Sequence, residues 1–233
     1  NFIKDQNDNI VQANLSLFDQ QKVEKFSFQN SEETNITASD LEKKEYQVTS
    51  VTSQKRNRNP YAPFTTSTLQ QSASTNLKIS PRDVMSTAQK LYEAGLITYM
   101  RTDGIEMASE GIASARKQIA SSLGEDFLPE KPRVFKSKAK NAQEAHECIR
   151  PTDFSQTPEK AKTLNKSELD LYTLIWRRAL ASQSRAAEVL QTTVLISSSC
   201  NSAQFRLSGQ VVTFEGHLKI FQDLKKEDEE KRI

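Results

Sequence analysis

Glycine, cysteine and histidine are all scarce in this sequence, and each shortage argues against a class of site. The 233 residues include 6 glycines, 2 cysteines and 2 histidines. So few glycines disfavour a glycine-rich phosphate-binding loop and a low-complexity chain. Cys148 and Cys200 cannot form a dense disulfide framework, which favours a reducing compartment. Because no two cysteines are spaced as Cys-x-x-Cys, a structural zinc site is also disfavoured.

Long hydrophobic runs are missing as well. No apolar run approaches the roughly 20 residues that a membrane helix requires, so no membrane partner is expected. Residues 1–5 contain neither an initiator Met nor an apolar signal-peptide core, and we expect the chain to be part of a longer protein. Hydrophobic residues still make up 36% of the sequence, which is enough for a core in one large domain or two modest ones.

Positive charge is concentrated in the middle of the chain. Residues 46–150 carry 15 basic and 10 acidic residues, a net charge of +5, whereas residues 1–45 carry 5 basic and 9 acidic residues. The middle segment is therefore the part that would attract a polyanion. Ordinary surface charge would produce a similar excess, so the charge alone leaves the partner open.

Strand signals lie towards both ends of the chain. Residues 1–35 contain short apolar alternations, and residues 46–51 are rich in β-branched side chains. After Gln191 the apolar residues recur with a period of two, which is typical of strands. Three strands are predicted there, the last two separated by Gly209: 193–196, 205–207 and 211–220. We expect the early and late strands to share one sheet.

Helix signals fill the middle of the chain. Ser80 and Pro81, followed by an acidic residue, are typical of a helix start, and Gly95 is typical of a helix end. Apolar side chains at helical spacing recur beyond residue 100. The predicted helices cover 37–45, 81–94, 107–123, 142–150 and 167–184. The sequence order therefore predicts an α+β fold in which a largely helical domain is inserted into a β-rich one.

Tyr99 and Arg101 are the most distinctive candidates for chemistry. We expect residues 96–100 to form a short strand, which would place Tyr99 and Arg101 on the same face. A guanidinium beside a phenol lowers the cost of forming a phenolate and can hold a phosphate oxygen. The residues alone leave open an alternative in which Tyr99 packs in a core and Arg101 pairs with Asp103.

Three segments of the sequence resemble type IA DNA topoisomerases. They are Pro-Phe-Thr-Thr-Ser-Thr-Leu-Gln-Gln at 63–71, Leu-Tyr-Glu through Thr-Tyr-Met-Arg-Thr-Asp at 91–103, and Glu-Ala-His-Glu-Cys-Ile-Arg-Pro-Thr at 144–152. The motifs occur in the family's order and at roughly its spacing, and the resemblance covers residues 20–220. The bacterial members of the family are the most similar.

The resemblance implies a role for each matching residue. Tyr99 would attack the DNA backbone and become linked to a 5′-phosphate, while Arg101 would hold and neutralise the scissile phosphate. His146 occupies the position of a histidine that contacts DNA. Cys148 stands where the family often has alanine, so we expect it to be small, buried and unreactive. Five further residues match positions that line the active site: Gln89, Glu93, Thr98, Thr102 and Asp103.

The resemblance also implies the architecture and the substrate. A mainly antiparallel β arch is implied for residues 1–61 with 187–215. An inserted winged-helix or CAP-like domain that carries the tyrosine is implied for residues 62–186, and the start of a following domain for residues 216–233. The substrates would be single-stranded and negatively supercoiled DNA, relaxed without ATP by a monomer associated with the nucleoid in the cytoplasm. Residues 54–62 and 184–190 are candidate hinges for opening the DNA gate.

The sequence departs from the family pattern in its metal-binding residues. The family uses Mg²⁺ held by clustered carboxylates of a Toprim domain, and no Asp-x-Asp-x-Glu cluster occurs here. The acidic run at 228–230 lies in a charged tail and does not fit that role. We therefore expect Mg²⁺ to be bound by the rest of the polypeptide, and this chain alone to be inactive. A winged-helix DNA-binding module without catalysis is the alternative function; a tyrosine recombinase would need several scattered Arg and His residues around its tyrosine.

Overall fold

The computed structural model describes residues 2–4, 10–136 and 147–221, and its backbone contacts divide the chain into two compact units. Asn1–Arg56 with Glu188–Thr213 form the sheet unit, and Asn57–Ala187 with Phe214–Ile233 form the helical unit. The chain passes from one unit to the other three times, so neither unit is a continuous stretch of sequence.

Five strands form the sheet. Their spatial order is β4 (Gln21–Lys22), β3 (Asn14–Phe18), β7 (Ala203–Phe214), β6 (Ala187–Ser198) and β5 (Tyr46–Arg58). β3 pairs with β7 in antiparallel register, with Asn14 opposite Arg206 and Phe18 opposite Ala203. A separate two-stranded ribbon joins β1 (Phe2–Lys4) to β2 (Ile10–Gln12). The pairing of β3 with β7 confirms that the early and late strands share one sheet.

The sheet unit has little apolar packing. Nearly every residue of β5 is exposed, including Val48 at 60%, and Val211 on β7 is 65% exposed. Hydroxyl groups connect neighbouring strands instead, as between Thr49 and Ser197 at 3.1 Å. The helix α1 (Ser31–Glu42) contributes no buried residue. Backbone pairing, rather than a large core, therefore holds this unit together.

The helical unit packs around α5 (Lys166–Ser182). Eight of the 17 residues of α5 are buried, among them Leu171, Tyr172 and Trp176. Among the described residues three α-helices contact α5: α2 (Thr66–Asn76), α3 (Pro81–Glu93) and α4 (Ser109–Ser122). Burial of each large apolar side chain contributes roughly 1.5–3 kcal/mol, so this core is the main source of the unit's stability. None of the helices in the described residues is both long and apolar enough to cross a bilayer.

The helix starts follow local sequence signals. Ser80 Oγ accepts a hydrogen bond from the Asp83 N–H at 3.2 Å and caps α3, as predicted. Thr65 and Asn165 form capping boxes at the starts of α2 and α5. α3 ends before Gly95, whose φ of +72° favours glycine. The structure confirms the helices predicted at 81–94, 107–123 and 167–184.

Two predictions in the sheet unit are wrong. The helix expected at 37–45 is α1, which starts earlier because Asn30 accepts a hydrogen bond from the Glu33 N–H at 2.8 Å. The three strands expected after Gln191 are two longer ones, β6 and β7. Gly209 lies inside β7, so it does not mark a break between two strands. A side chain at this position would meet no atom within 4 Å. The last predicted strand ends instead in a 3-10 helix, Gly216–Phe221.

The strand predicted at 96–100 is also wrong. Within that segment only Ile97 forms an isolated bridge, to Pro151. Side chains alternate between exposed and buried from Tyr99 to Thr102, but Ile97, two residues before the exposed Tyr99, is buried, so the segment lacks the regular alternation of a strand. No strand pairs with it among the described residues. No hairpin wing follows α3 among the described residues up to 136.

The helix predicted at 142–150 is not helical where it is described. Glu147 and Ile149 form isolated bridges instead of helical turns, and residues 142–146 lie outside the described residues. The predicted α+β class, with a five-stranded antiparallel sheet and a set of helices, is confirmed. The arch and winged-helix identities remain proposals.

Candidate active site

Thr98 ties the segment before Tyr99 to residues 148–150. The Thr98 N–H donates to the Arg150 carbonyl at 2.9 Å, and Thr98 Oγ1 donates to the Cys148 carbonyl at 2.7 Å. The same Oγ1 accepts a hydrogen bond from the Arg150 N–H at 3.0 Å. One threonine therefore satisfies three backbone groups of the opposing segment and fixes the chain immediately before Tyr99.

Thr66, the first residue of α2, binds the segment after Tyr99. Its N–H donates to the Thr102 carbonyl at 2.9 Å, and its Oγ1 accepts from the Thr102 N–H at 2.8 Å. Thr66 Oγ1 also donates to the Met100 carbonyl at 2.8 Å. Because the first N–H groups of a helix have no partner within it, the start of α2 is well suited to hold a carbonyl. Residues 100–102 are therefore anchored to a helix of the core.

The side chains of Tyr99 and Arg101 are exposed although no strand is formed. Ile97 and Met100 are each 1% exposed, whereas Tyr99 is 48% exposed and Arg101 lies at the surface. Arg101 makes no ion pair with Asp103 or with any other residue that the structure describes. The alternative in which Tyr99 packs in a core and Arg101 pairs with Asp103 is therefore wrong.

The last turn of α3 lies beside Tyr99. The rings of Tyr92 and Tyr99 meet edge to face, with centroids 5.3 Å apart and an interplanar angle of 67°, an arrangement that aromatic pairs favour. On the same helix, Gln89 Nε2 donates to Glu93 Oε1 at 2.7 Å. This hydrogen bond shows that Gln89 and Glu93 share one helix face.

Thr102 and Asp103 differ in exposure. Thr102 is 8% exposed, and its Oγ1 accepts a hydrogen bond from the Gly104 N–H at 2.9 Å. Asp103 lies at the surface. Thr102 therefore holds the segment in place, whereas the Asp103 carboxylate can be reached from solvent.

Cys148 is fully buried, as expected. Burial raises the pKa of its thiol to about 12, so the thiol stays protonated at neutral pH and is a poor nucleophile. Its backbone carbonyl serves the site by accepting the hydrogen bond from Thr98.

Arg150 is a buried cation that joins neighbouring segments of the helical unit. Its Nε donates to Glu147 Oε1 at 2.6 Å, and its Nη1 donates to the Pro151 carbonyl at 2.9 Å. Glu147 Oε1 also accepts from the Ala108 N–H, just before α4, at 2.8 Å. A buried cation requires such partners because removing it from water is costly. Arg150 thereby connects the segment that holds Thr98 to the start of α4.

Gly111 lies inside α4, where glycine is ordinarily unfavourable. A Cβ atom at this position would lie 2.6 Å from Arg150 Nε and 2.8 Å from its Cζ, so the guanidinium can approach the helix only because residue 111 is glycine. Sequence reasoning missed Thr66, Gly111 and Arg150 as residues that build the site. A glycine inside a helical pattern was an available signal, but nothing in the sequence pairs it with Arg150.

His146, the predicted DNA-contacting histidine, lies outside the described residues. Within the described ranges, no group of three His, Cys, Asp or Glu side chains could hold a metal ion. The described site consists of a phenol, a guanidinium and the hydrogen bonds that hold their backbone.

Comparison with known proteins identifies the family. A family model described as DNA topoisomerase matches residues 3–233. DNA topoisomerase 1 of Zymomonas mobilis is 45% identical over 203 residues, which cover 87% of this chain and 16% of the relative. DNA topoisomerase 1 of Campylobacter jejuni is 41% identical over 226 residues, which cover 93% of this chain and 32% of the relative. The chain thus spans a third or less of the length of these relatives.

The similarity extends to three-dimensional structure. Full-length topoisomerase I from Thermotoga maritima matches with a TM-score of 0.74 and 30% identity, covering 90% of this chain and 34% of that one. The sequence and structure matches each cover most of the chain, including both units. The chain therefore belongs to the type IA DNA topoisomerase family and is similar to part of bacterial DNA topoisomerase I.

Proposed function

We propose that this chain carries the DNA-cleaving tyrosine of a type IA topoisomerase. The observation that carries the proposal is the presentation of Tyr99 and Arg101. Both are exposed, two residues apart, on a segment fixed by hydrogen bonds at Thr98 and Thr102. Family membership supports the assignment. The proposed activity of the whole protein is relaxation of negatively supercoiled DNA without ATP, an isomerase reaction.

In the proposed reaction Tyr99 attacks a phosphodiester of single-stranded DNA. The phenol loses its proton, its oxygen forms a bond to phosphorus, and the bond between phosphorus and the 3′ oxygen breaks. The 3′ oxygen takes up a proton and leaves as a hydroxyl, so the 5′-phosphate stays on Tyr99. Because one phosphodiester replaces another, attack by the 3′-hydroxyl reverses the step without ATP after a second strand has passed.

Arg101 is proposed to neutralise the scissile phosphate. Its guanidinium has no ion-pair partner among the described residues, so it can meet a phosphate oxygen without first breaking such a contact. A guanidinium can donate two parallel hydrogen bonds to phosphate, and it would stabilise the negative charge that is redistributed during transfer.

Other residues are proposed to line the same site. The hydrogen bonds of Thr98 and Thr102 support a role in holding the Tyr99 segment, and Glu93 is next in sequence to Tyr92, which contacts the Tyr99 ring. The full proposed set that lines the site or contacts DNA there is Gln89, Glu93, Thr98, Thr102, Asp103 and His146.

Mg²⁺ is proposed to be supplied by another part of the intact protein. The described residues contain no group of three His, Cys, Asp or Glu side chains that could hold a metal ion, and the relatives are much longer than this chain. A Toprim domain in the remaining length is the proposed place for the ion. This chain alone is then expected to remain a monomer that binds single-stranded DNA weakly and does not cleave it.

The two units are proposed to have different tasks. The sheet unit would belong to the arch, residues 1–61 with 187–215, and the helical unit would be the winged-helix or CAP-like domain, residues 62–186. Of the candidate hinges 54–62 and 184–190, β5 and β6 occupy the parts within the sheet, so bending would concentrate at 59–62 and 184–186. Relaxation that persists after both segments are locked by disulfides in the full-length protein would contradict the hinge proposal.

A covalent trap tests the proposed function. The full-length protein is mixed with single-stranded DNA labelled at the 5′ or the 3′ end, denatured with SDS and examined for labelled protein. Because the link is to a 5′-phosphate, only the 3′ label should stay on the protein. Tyr99→Phe should lose the label, and Tyr61→Phe, at an exposed tyrosine of the same unit, should keep it.

Two outcomes of the trap would contradict the proposal. An adduct in Tyr99→Phe would exclude Tyr99 as the nucleophile. Sequence-specific binding of duplex DNA by the folded full-length protein, with no adduct under any condition, would favour the winged-helix binding module without catalysis.

A further inference from the structure

We propose that Thr66 is a positioning residue for the Tyr99 reaction. Its hydroxyl fixes the two peptide groups that flank Arg101 and thereby sets the spacing between the phenol and the guanidinium. The inference rests on the proposed function of Tyr99 and goes beyond it, because Thr66 touches no reacting atom and acts through the backbone of residues 100–102.

One hydroxyl group reaches both peptide groups. Thr66 Oγ1 donates to the Met100 carbonyl, which belongs to the peptide before Arg101, and accepts from the Thr102 N–H, which belongs to the peptide after it, both at 2.8 Å. The Thr66 N–H adds a third bond, to the Thr102 carbonyl at 2.9 Å. These three bonds leave the backbone on either side of Arg101 little freedom to rotate.

The support beneath Thr66 is stiff. α2 buries Leu69 and Ala73 completely. The first turn is also capped, because Thr65 Oγ1 accepts from the Thr68 N–H at 3.3 Å, a bond that does not need the Thr68 hydroxyl. Displacing Thr66 would therefore require moving the start of a helix that is packed in the core.

Apolar packing alone would not give the same control. The buried side chain of Met100 anchors the segment at one point, but apolar contacts have no preferred direction. Hydrogen bonds do have a preferred direction. The buried Met100 side chain anchors the segment in the core, whereas the Thr66 hydroxyl determines how its peptide groups are oriented. A displacement of about 1 Å at a reacting group can reduce a rate by about 10²-fold.

Three variants of the full-length protein separate this role from general stability. Thr66→Val keeps the side-chain shape and removes the hydroxyl, and Thr66→Ser keeps the hydroxyl. Thr68→Val is the matched control: it removes a hydroxyl from the same helical turn, but that hydroxyl bonds only within the capping box. For each, we measure single-turnover cleavage at saturating single-stranded DNA, the dissociation constant of DNA in the Tyr99→Phe background, and the midpoint of thermal unfolding.

Thr66→Val should slow cleavage by about 10-fold to 100-fold while the DNA dissociation constant changes by less than about twofold. Thr66→Ser should stay within about threefold of the parent rate. Thr68→Val should lower the unfolding midpoint and keep its cleavage rate. Should Thr66→Val fail to fold, Thr66→Ala removes the same hydroxyl and takes its place.

Three results would overturn the proposal: normal cleavage by the hydroxyl-free variants, equal losses in Thr66→Ser and Thr66→Val, or a loss in Thr68→Val as large as that in Thr66→Val. These results are distinguishable from failure of the proposed function. If the proposed function fails, the parent protein itself forms no adduct, or Tyr99→Phe still forms one.

Discussion

The sheet unit and the helical unit belong to one chain but are stabilised in different ways. In the sheet unit, long strands pair through their backbones and leave residues such as Val48 exposed. The helical unit instead buries Leu171 and Tyr172 in a core around α5. The candidate active site lies in the helical unit, and its backbone is anchored directly to that core. The difference indicates that a sheet can form here with little core, whereas the segment that carries Tyr99, the proposed nucleophile, is held by packed support.

The largest effect is expected when an apolar side chain is truncated to alanine in each of the two units. Leu171→Ala removes contacts of a fully buried side chain and should lower the free energy of unfolding by about 2–5 kcal/mol. Val48→Ala, at an exposed position of β5, should change it by less than about 0.5 kcal/mol. Denaturant unfolding, followed by the fluorescence of the single tryptophan Trp176 for the helical unit and by circular dichroism for the sheet, measures both. Equal losses at the two positions would remove the distinction between the units.

A smaller effect is expected from adding one methyl group to a glycine in each unit. Gly111→Ala places a Cβ atom against the Arg150 guanidinium and should cost about 1–3 kcal/mol of unfolding free energy. Gly209→Ala adds the same methyl group in open space on β7 and should stay within about 0.5 kcal/mol.

A double-mutant cycle checks the cause of the Gly111 effect. Because Arg150→Ala removes the atoms that the new methyl group would meet, Gly111→Ala should cost little in that background. Chemical denaturation of the two single variants and the double variant gives the coupling energy. A cost that is unchanged by Arg150→Ala would contradict the close approach of the guanidinium to α4.

The smallest expected effect concerns the reactivity of the two cysteines rather than stability. Hydrogen bonds from Ser202 and Ser198 lower the pKa of the exposed Cys200 thiol to about 7, whereas burial raises that of Cys148 to about 12. Since the thiolate is the reactive form, alkylation of Cys200 by iodoacetamide should increase as the pH rises through about 7. Cys148 should react only after unfolding.

Mass spectrometry of the labelled protein locates the modified cysteine. Ser202→Ala removes the hydrogen bond that lowers the Cys200 pKa most, so its labelling midpoint should move to higher pH. Cys200→Ser is the control and should show no labelling of the native protein. Labelling of Cys148 in the native protein would contradict the burial of its thiol in the helical unit.

The sequence was a good guide where a structure depends on neighbouring residues. The start of α3 was predictable because Ser80 and Asp83 form its cap within four positions. Strand lengths were not predictable. Gly209 was interpreted as a break between two strands, but it lies within β7, where a side chain would meet no atom within 4 Å. β6 and β7 pair with each other across a short turn, but their outer partners, β5 and β3, are distant in sequence. No pattern within the two strands reports those outer partners.

The candidate site shows the same division. Motifs singled out Tyr99 and Arg101. The prediction that both lie on one face rested on a strand that does not form, although both side chains are exposed. The hydrogen bonds of Thr66 reach residues 34 and 36 positions away, and no local pattern reports such contacts. The approach of Arg150 to α4 is equally distant in sequence and became evident only from the folded backbone.

The most direct test of the central claim is to locate the covalent nucleotide. After the full-length protein is trapped on single-stranded DNA and digested with nuclease, trypsin should release residues 91–101 as one peptide, which contains both Tyr92 and Tyr99. Tandem mass spectrometry then assigns the phosphodeoxynucleotide to one of the two rings. The account predicts that it is on Tyr99 and that Tyr92 is unmodified. A nucleotide on Tyr92, or on a residue outside this peptide, would contradict it.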